Sequence, residues 1–153
     1  MAKYVYHIPK GEHGSRQALK SSSWGELALN FGQSLQIQLI RDFKLDACVF
    51  PDEDGVELNQ GSAGMGKDWF NFRFRVFADR AIYLDMINVP YAWRNKGIGA
   101  MLIRELQKFA GENGLYYIFL GSYDPSNSFW ESHGFKKVTD YPDFVVGPDG
   151  MAK

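Results

Sequence analysis

Seven consecutive residues, Arg94-Asn95-Lys96-Gly97-Ile98-Gly99-Ala100, concentrate more chemistry than any other stretch of the chain. Two cations and two glycines stand in one turn. Behind it, Ile98, Met101, Leu102, Leu106, Phe109 and Ala110 recur at three- and four-residue steps. That period is one apolar face of a helix, with Arg104, Glu105, Gln107 and Lys108 on the other. The first amides of a helix have no intrahelical partner and sit at the positive end of its dipole. Gly97 and Gly99 carry no Cβ, so a ligand can lie on the backbone, and Arg94 and Lys96 add full charges beside it. These residue types, in this order, predict a seat for a diphosphate.

Other reactive side chains are less organised. Gly61-Ser-Ala-Gly-Met-Gly66-Lys67 matches most of a nucleotide-binding P-loop, but Asp68 stands where a magnesium-binding Ser or Thr is needed. An alternating strand pattern follows it, not a helix, so a strand connection is the better reading. His7, His13 and His133 lack metal-ligand spacing, and no metal site is expected. Cys48 is the only cysteine and lies in an apolar run, which predicts a buried, inert thiol.

The glycine turn departs from the dinucleotide fingerprint, because Leu102 occupies the place of its third small residue. Arg94-x-x-Gly97-x-Gly99 after a strand ending in Val89 instead resembles the acyl-coenzyme A loop of the Gcn5-related N-acetyltransferase (GNAT) superfamily. Ser128-Phe-Trp-Glu-Ser-His-Gly-Phe135 is similar to that family's Phe-Tyr-x-x-x-Gly-Phe segment, one strand further on. The resemblance covers roughly Ala81 to Val138. It implies acetyl-coenzyme A as co-substrate and an amine acceptor, either a small molecule or a peptide. On the family pattern, the backbone at Ile87, Asn88 and Val89 lies along the pantetheine and acyl group, and Arg94 through Ala100 hold the diphosphate.

The resemblance also implies catalytic roles. The attacking amine must lose a proton, and a free lysine amine has a pKa of about 10.4. Asp85 is the candidate base, read as projecting with Tyr83, Ile87 and Val89, its pKa raised by apolar neighbours. A structural ion pair with Arg73 or Arg75 is the alternative. The family's thiolate-protonating Tyr aligns with Trp130, which cannot serve as that acid and is assigned to packing against the coenzyme. Tyr123 is a substitute acid at the place of a family Asn, and Asn127 is one helical turn away to make that Asn's contact.

These residues need elements to position them. Lys3 to Ile8 alternates as a first strand, and Pro9 to Ser22 reads as a loop. Ser23 with Glu26 fits a capping box before an apolar helical stripe from Trp24 to Phe43 that Gly25 and Gly32 weaken; the resemblance implies two helices here, with Gly32 a candidate for their break. Short strands follow at Ala47 to Phe50 and Val56 to Leu58. Trp69 to Ala78 places Phe70, Phe72, Phe74 and Val76 on one face and Asn71, Arg73 and Arg75 on the other. Asp79-Arg80 makes a tight connection to the strand at Ala81. Beyond the central helix come a strand at Leu115 to Leu120, a helix at Ser126 to His133, and strands at Phe135 to Val138 and Asp143 to Val146. The order, read as strand, helix, three strands, helix, strand, helix and two strands, predicts an α+β fold. The resemblance implies a mixed, mostly antiparallel sheet of six to seven strands with helices on both faces.

The 153 residues suit one domain, and 45% hydrophobic with 16% aromatic residues favour a folded core. Seventeen basic against eighteen acidic residues give a net charge of −1, which argues against general attraction to nucleic acid. No segment is apolar enough for a signal peptide or a membrane span. The expectation is a soluble cytoplasmic acetyltransferase, with a homodimer among the assemblies this reading admits. The alternative is a coenzyme-A-binding regulatory module with little or no catalysis, and a third reading is an enzyme acting on a macromolecule.

Overall fold

A computed structural model describes residues 2–9, 23–61, 69–122 and 127–141. Its elements in chain order are β1 (Ala2–His7), α1 (Trp24–Phe43), β2 (Cys48–Asp52), β3 (Gly55–Asn59), β4 (Asn71–Phe77), β5 (Ala81–Asn88), α2 (Ile98–Glu112), β6 (Tyr117–Ser122), α3 (Asn127–Ser132) and β7 (Lys136–Val138). The strands form one seven-stranded sheet in the order β2-β3-β4-β5-β6-β1-β7. Every pairing is antiparallel except β5 with β6. The α+β class and mostly antiparallel sheet are as expected. Between α1 and α2 there are four strands, one more than the sequence order counted. The expected strand at Asp143 to Val146 and most of the Pro9 to Ser22 loop lie outside the described residues.

Alternation builds the sheet's main face. Phe70, Phe72, Phe74 and Val76 are buried, and Val56 and Leu58 of β3 lie opposite Phe74 and Phe72. Residues opposite each other in an antiparallel pair share a face. The helices cover this face. Phe31 of α1 packs on Phe74 and stacks on Phe109 of α2, with ring centroids 4.6 Å apart. Trp130 of α3 and Phe135 after it join the same core, with Phe135 against Tyr6 of β1. Thus the three described helices all contribute to this core. The other face holds a smaller aromatic cluster of Val5, Ala81 and Phe119, with Tyr83, Tyr117, Val138 and Tyr141 packed on it.

α1 begins as the sequence predicts: the Ser23 hydroxyl accepts from the Glu26 amide at 3.1 Å. It does not break at Gly32 but runs unbroken for 20 residues. Gly32 lies where the helix touches the sheet, since a Cβ there would meet Val56 Cγ2 at 2.8 Å. The glycine permits close packing, and the helix keeps its hydrogen bonds through it. Lys44, in the left-handed conformation, closes the helix by donating to the carbonyls of its last turn. No helix among the described residues is long and apolar enough to cross a membrane.

Two local features shape β5. Its turn from β4 puts Ala78 and Asp79 at φ 52° and 53°, closed by Arg80 N–H donating to Phe77 O at 2.9 Å. The Trp24 indole donates to the Asp79 carboxylate, tying the start of α1 to this turn. At its other end β5 parts from its parallel neighbour: the pairing covers Ala81, Ile82 and Tyr83 and then stops. Beyond Tyr83 the two strands are no longer paired among the described residues, although β6 runs on to Ser122.

Candidate functional site

The end of β5, past its pairing with β6, leads through Pro90 into a short turn, Tyr91–Trp93, and then into the cationic glycine loop. The loop is anchored by backbone carbonyls on two elements. Arg94 Nε donates to Val89 O at 2.9 Å, and the Trp93 indole donates to Phe43 O at 3.1 Å. The second bond uses a carbonyl that α1 leaves open at its C-terminus. Asn95 and Gly97 take positive φ values of 63° and 86°, which turn the chain into α2. Gly97 caps that helix without any side-chain hydrogen bond. Met101 N–H bonds Gly97 O at 3.0 Å, while no side chain caps the amides ahead of it.

A cavity of about 600 Å³ opens here. Ile87, Asn88 and Val89 of the β5 end form one wall, and Arg94, Asn95, Gly97, Ile98, Gly99 and Ala100 form the floor at the start of α2. Trp93, Phe129 and Trp130 complete it. The two stretches singled out in the sequence therefore meet across one cavity. Ten of the twelve residues assigned to a coenzyme line it. Lys96 is exposed and is not on the lining, and Asn127 begins α3 with its side chain outside the described residues. Phe129 and Trp93 were not assigned. Phe129 lay within the second segment, and its ring lies 3.4 Å from where a Gly99 Cβ would be. Trp93 directly precedes the loop, and its position against Phe43 depends on a contact 50 residues away.

Trp130 is buried, and its indole N–H donates to Ser122 Oγ at 3.0 Å. It stands edge-on to Phe129 and Phe135, at 4.9 and 5.4 Å between centroids. The candidate acid Tyr123, and residues 62–68 of the glycine-rich connection, lie outside the described residues.

Asp85 occupies a different position from the one strand parity gave it. Arg73 pairs with Met86 and Phe74 with Leu84, so Asp85 is the extra residue of a β-bulge. The bulge flips the alternation after it. Ile87, opposite Phe72, joins Leu84 on the helix-covered face, whereas Tyr83 and Met86 share the opposite face with the arginines. Asp85 reaches both: Oδ2 lies 3.2 Å from Arg75 Nε and 3.6 Å from Arg73 Nε. Its side chain is only 12% exposed, and it does not line the cavity. Burial raises its pKa above the usual carboxylate value, against the pull of Arg75 and Arg73. Arg73 also reaches Glu57 Oε1 at 3.7 Å, so the charges form a strip across β3, β4 and β5.

Cys48 is exposed, not buried. β2 is the sheet's edge strand, and the two-residue period that turns Ala47 inward turns Cys48 outward. Among the described residues no three His, Cys, Asp or Glu side chains gather as a metal site.

The arrangement is an uncapped helix N-terminus facing a strand end released from its parallel neighbour, with an aromatic pair closing the gap. The sequence model of the acetyltransferase (GNAT) family matches residues 20–135. The chain belongs to that family. The match takes in α1 through α3 and so extends well beyond the two segments that carried the resemblance. No curated protein matches the chain. As a GNAT-family protein it has an acetyltransferase-type fold, and the cavity stands where the cationic glycine loop and the Phe129-Trp130 segment converge.

Proposed function

We propose that this protein is an N-acetyltransferase that transfers an acetyl group from acetyl-coenzyme A to an amine, carried by a small molecule or a peptide. The observation that supports it is the single cavity joining the α2 N-terminus, the end of β5 and the α3 aromatics. The residues fit the coenzyme. Amides without a side-chain cap and the Arg94 guanidinium suit a diphosphate, and the apolar surface of Ile87, Val89, Phe129 and Trp130 suits the pantetheine arm. When bound, the coenzyme supplies an acetyl group activated as a thioester. Ile87 to Val89 would hold that group, with Phe129 and Trp130 on the cavity lining to limit its exposure to water. Backbone N–H groups of β5 where its pairing with β6 has ended would be the donors for an acyl oxygen.

The acceptor amine must arrive unprotonated or give up a proton to a base. Asp85 is our candidate for that proton, through its position on β5 and its raised pKa. A second reading, a coenzyme-binding module with little catalysis, draws support from the same residue: Asp85 is held by two arginines and stands off the cavity lining. Calorimetric titration with acetyl-coenzyme A, free coenzyme A and ATP separates the readings from an unrelated nucleotide site. Binding of the first two but not ATP, followed by amine-dependent thiol release, is the expected result. Binding with no thiol release across a broad amine panel would favour the module, and no binding would defeat both.

A further inference from the structure

We propose that Tyr91 is the stacking platform for the purine ring of the coenzyme; this inference rests on the coenzyme reading of the cavity. Tyr91 is 78% exposed, more than any other large apolar or aromatic side chain among the described residues. A lone exposed ring is ordinary on a protein surface. This one differs in what holds it and what lies beside it.

Its backbone is fixed at the cavity mouth. Trp93 N–H bonds Pro90 O at 2.9 Å and Arg94 N–H bonds Tyr91 O at 3.2 Å, closing the turn on both sides of the ring. The Trp93 indole, bonded to Phe43 O, pins the same turn to the end of α1. The Arg94 guanidinium lies over the Tyr91 ring, 5.8 Å from its centroid, while its Nε holds Val89 O. Arg94 lines the cavity and Tyr91 does not, so the ring stands one residue layer outside the phosphate seat.

That is the place where the adenosine end of the coenzyme must go. Once the pantetheine lies against Ile87 to Val89 and the diphosphate on the start of α2, the purine is left outside the cavity. It needs a flat partner on the surface. A phenol ring with one face toward a guanidinium and the rest toward solvent offers such a partner, because stacking asks only for a π-face. Arg94 then serves two parts of the ligand, with its charge toward phosphate and its plane toward the ring that the purine meets. The backbone that carries the ring is already held before binding, so less freedom is lost on contact, which favours affinity.

The test is calorimetry on the intact protein, its Tyr91→Ala variant and its Tyr91→Phe variant. The probes are acetyl-coenzyme A and acetyl-4′-phosphopantetheine, which lacks the adenosine. The expected result is about a tenfold loss of acetyl-coenzyme A affinity in Tyr91→Ala, with phosphopantetheine binding unchanged. Tyr91→Phe should keep the wild-type value for both. Wild-type affinity for acetyl-coenzyme A in Tyr91→Ala would overturn the inference, as would an equal loss for both probes, which would report a distorted turn. A Tyr91→Phe variant as weak as Tyr91→Ala would overturn stacking in favour of the hydroxyl. If the intact protein binds neither probe, the coenzyme reading itself fails, a result distinct from all of these.

Discussion

Gly97 and Gly99 sit two residues apart and are required for different reasons. Gly97 has φ +86°, and a Cβ built on it would meet nothing within 4 Å. Its constraint is conformational only, so Gly97→Ala should cost about 1 kcal/mol of stability in urea unfolding. Gly99 is helical, and its place beside Phe129 leaves a methyl group ordinary contact. The proposed site makes larger changes there costly for binding. Gly99→Trp, or Arg94→Ala with Lys96→Ala, should weaken acetyl-coenzyme A binding at least tenfold, about 1.4 kcal/mol by titration. Asp85 gives a pH test. Its folded pKa lies above the ordinary value, so its protonation favours the fold: the contribution is complete below pH 3.8 and is lost as pH rises through the folded pKa. Wild type should therefore gain stability relative to Asp85→Asn as pH falls from 7 into the acid range. A relative loss would mean that the arginine pair outweighs burial. The cationic loop was legible in the sequence because its meaning is local. The side to which Asp85 points was not, because the bulge is set by how β5 pairs with β4.

At the scale of elements, the same glycine signal misled. Gly32 reads as a helix break, yet it is the contact point of α1 with Val56, and one chain cannot show which glycine faces a sheet. Gly32→Leu should destabilise the protein by about 2 kcal/mol through overpacking, seen as a lower urea midpoint with unchanged slope. The turn between β4 and β5 predicts the reverse. Ala78 holds φ 52° without being glycine, so Ala78→Gly should raise stability by about 1 kcal/mol. Unchanged or reduced stability in a thermal melt would contradict that strain. β4 was legible almost residue for residue, since its Phe and Arg alternation belongs to one strand. β2 was less so, because burial at a sheet edge follows from having a single neighbour, and Cys48 turned outward where an apolar run suggested cover.

At the scale of the molecule, the α+β class followed from the order of elements, but the sheet order did not. β1 lies between β6 and β7, paired with both, and no local pattern announces partners so distant. The joining of the three described helices in one core is likewise a product of long-range packing. We predict one cooperative unfolding transition for the whole chain, with coincident fluorescence and circular dichroism curves. Deleting residues 2–7 should abolish it, because among the described residues β1 joins β7 to the rest of the sheet. The position of β1 also bears on how the chain is made. On the ribosome, β1 emerges about 110 residues before β6, its first neighbour in the finished sheet. It must wait, carrying residues such as Tyr4 and Val5 that the fold buries, until β6 has been made. A domain of this size would ordinarily begin folding from its early segments, but here the first strand is among the last to be placed. Pauses before β6 is made, or a chaperone holding β1, should therefore change the yield of folded protein.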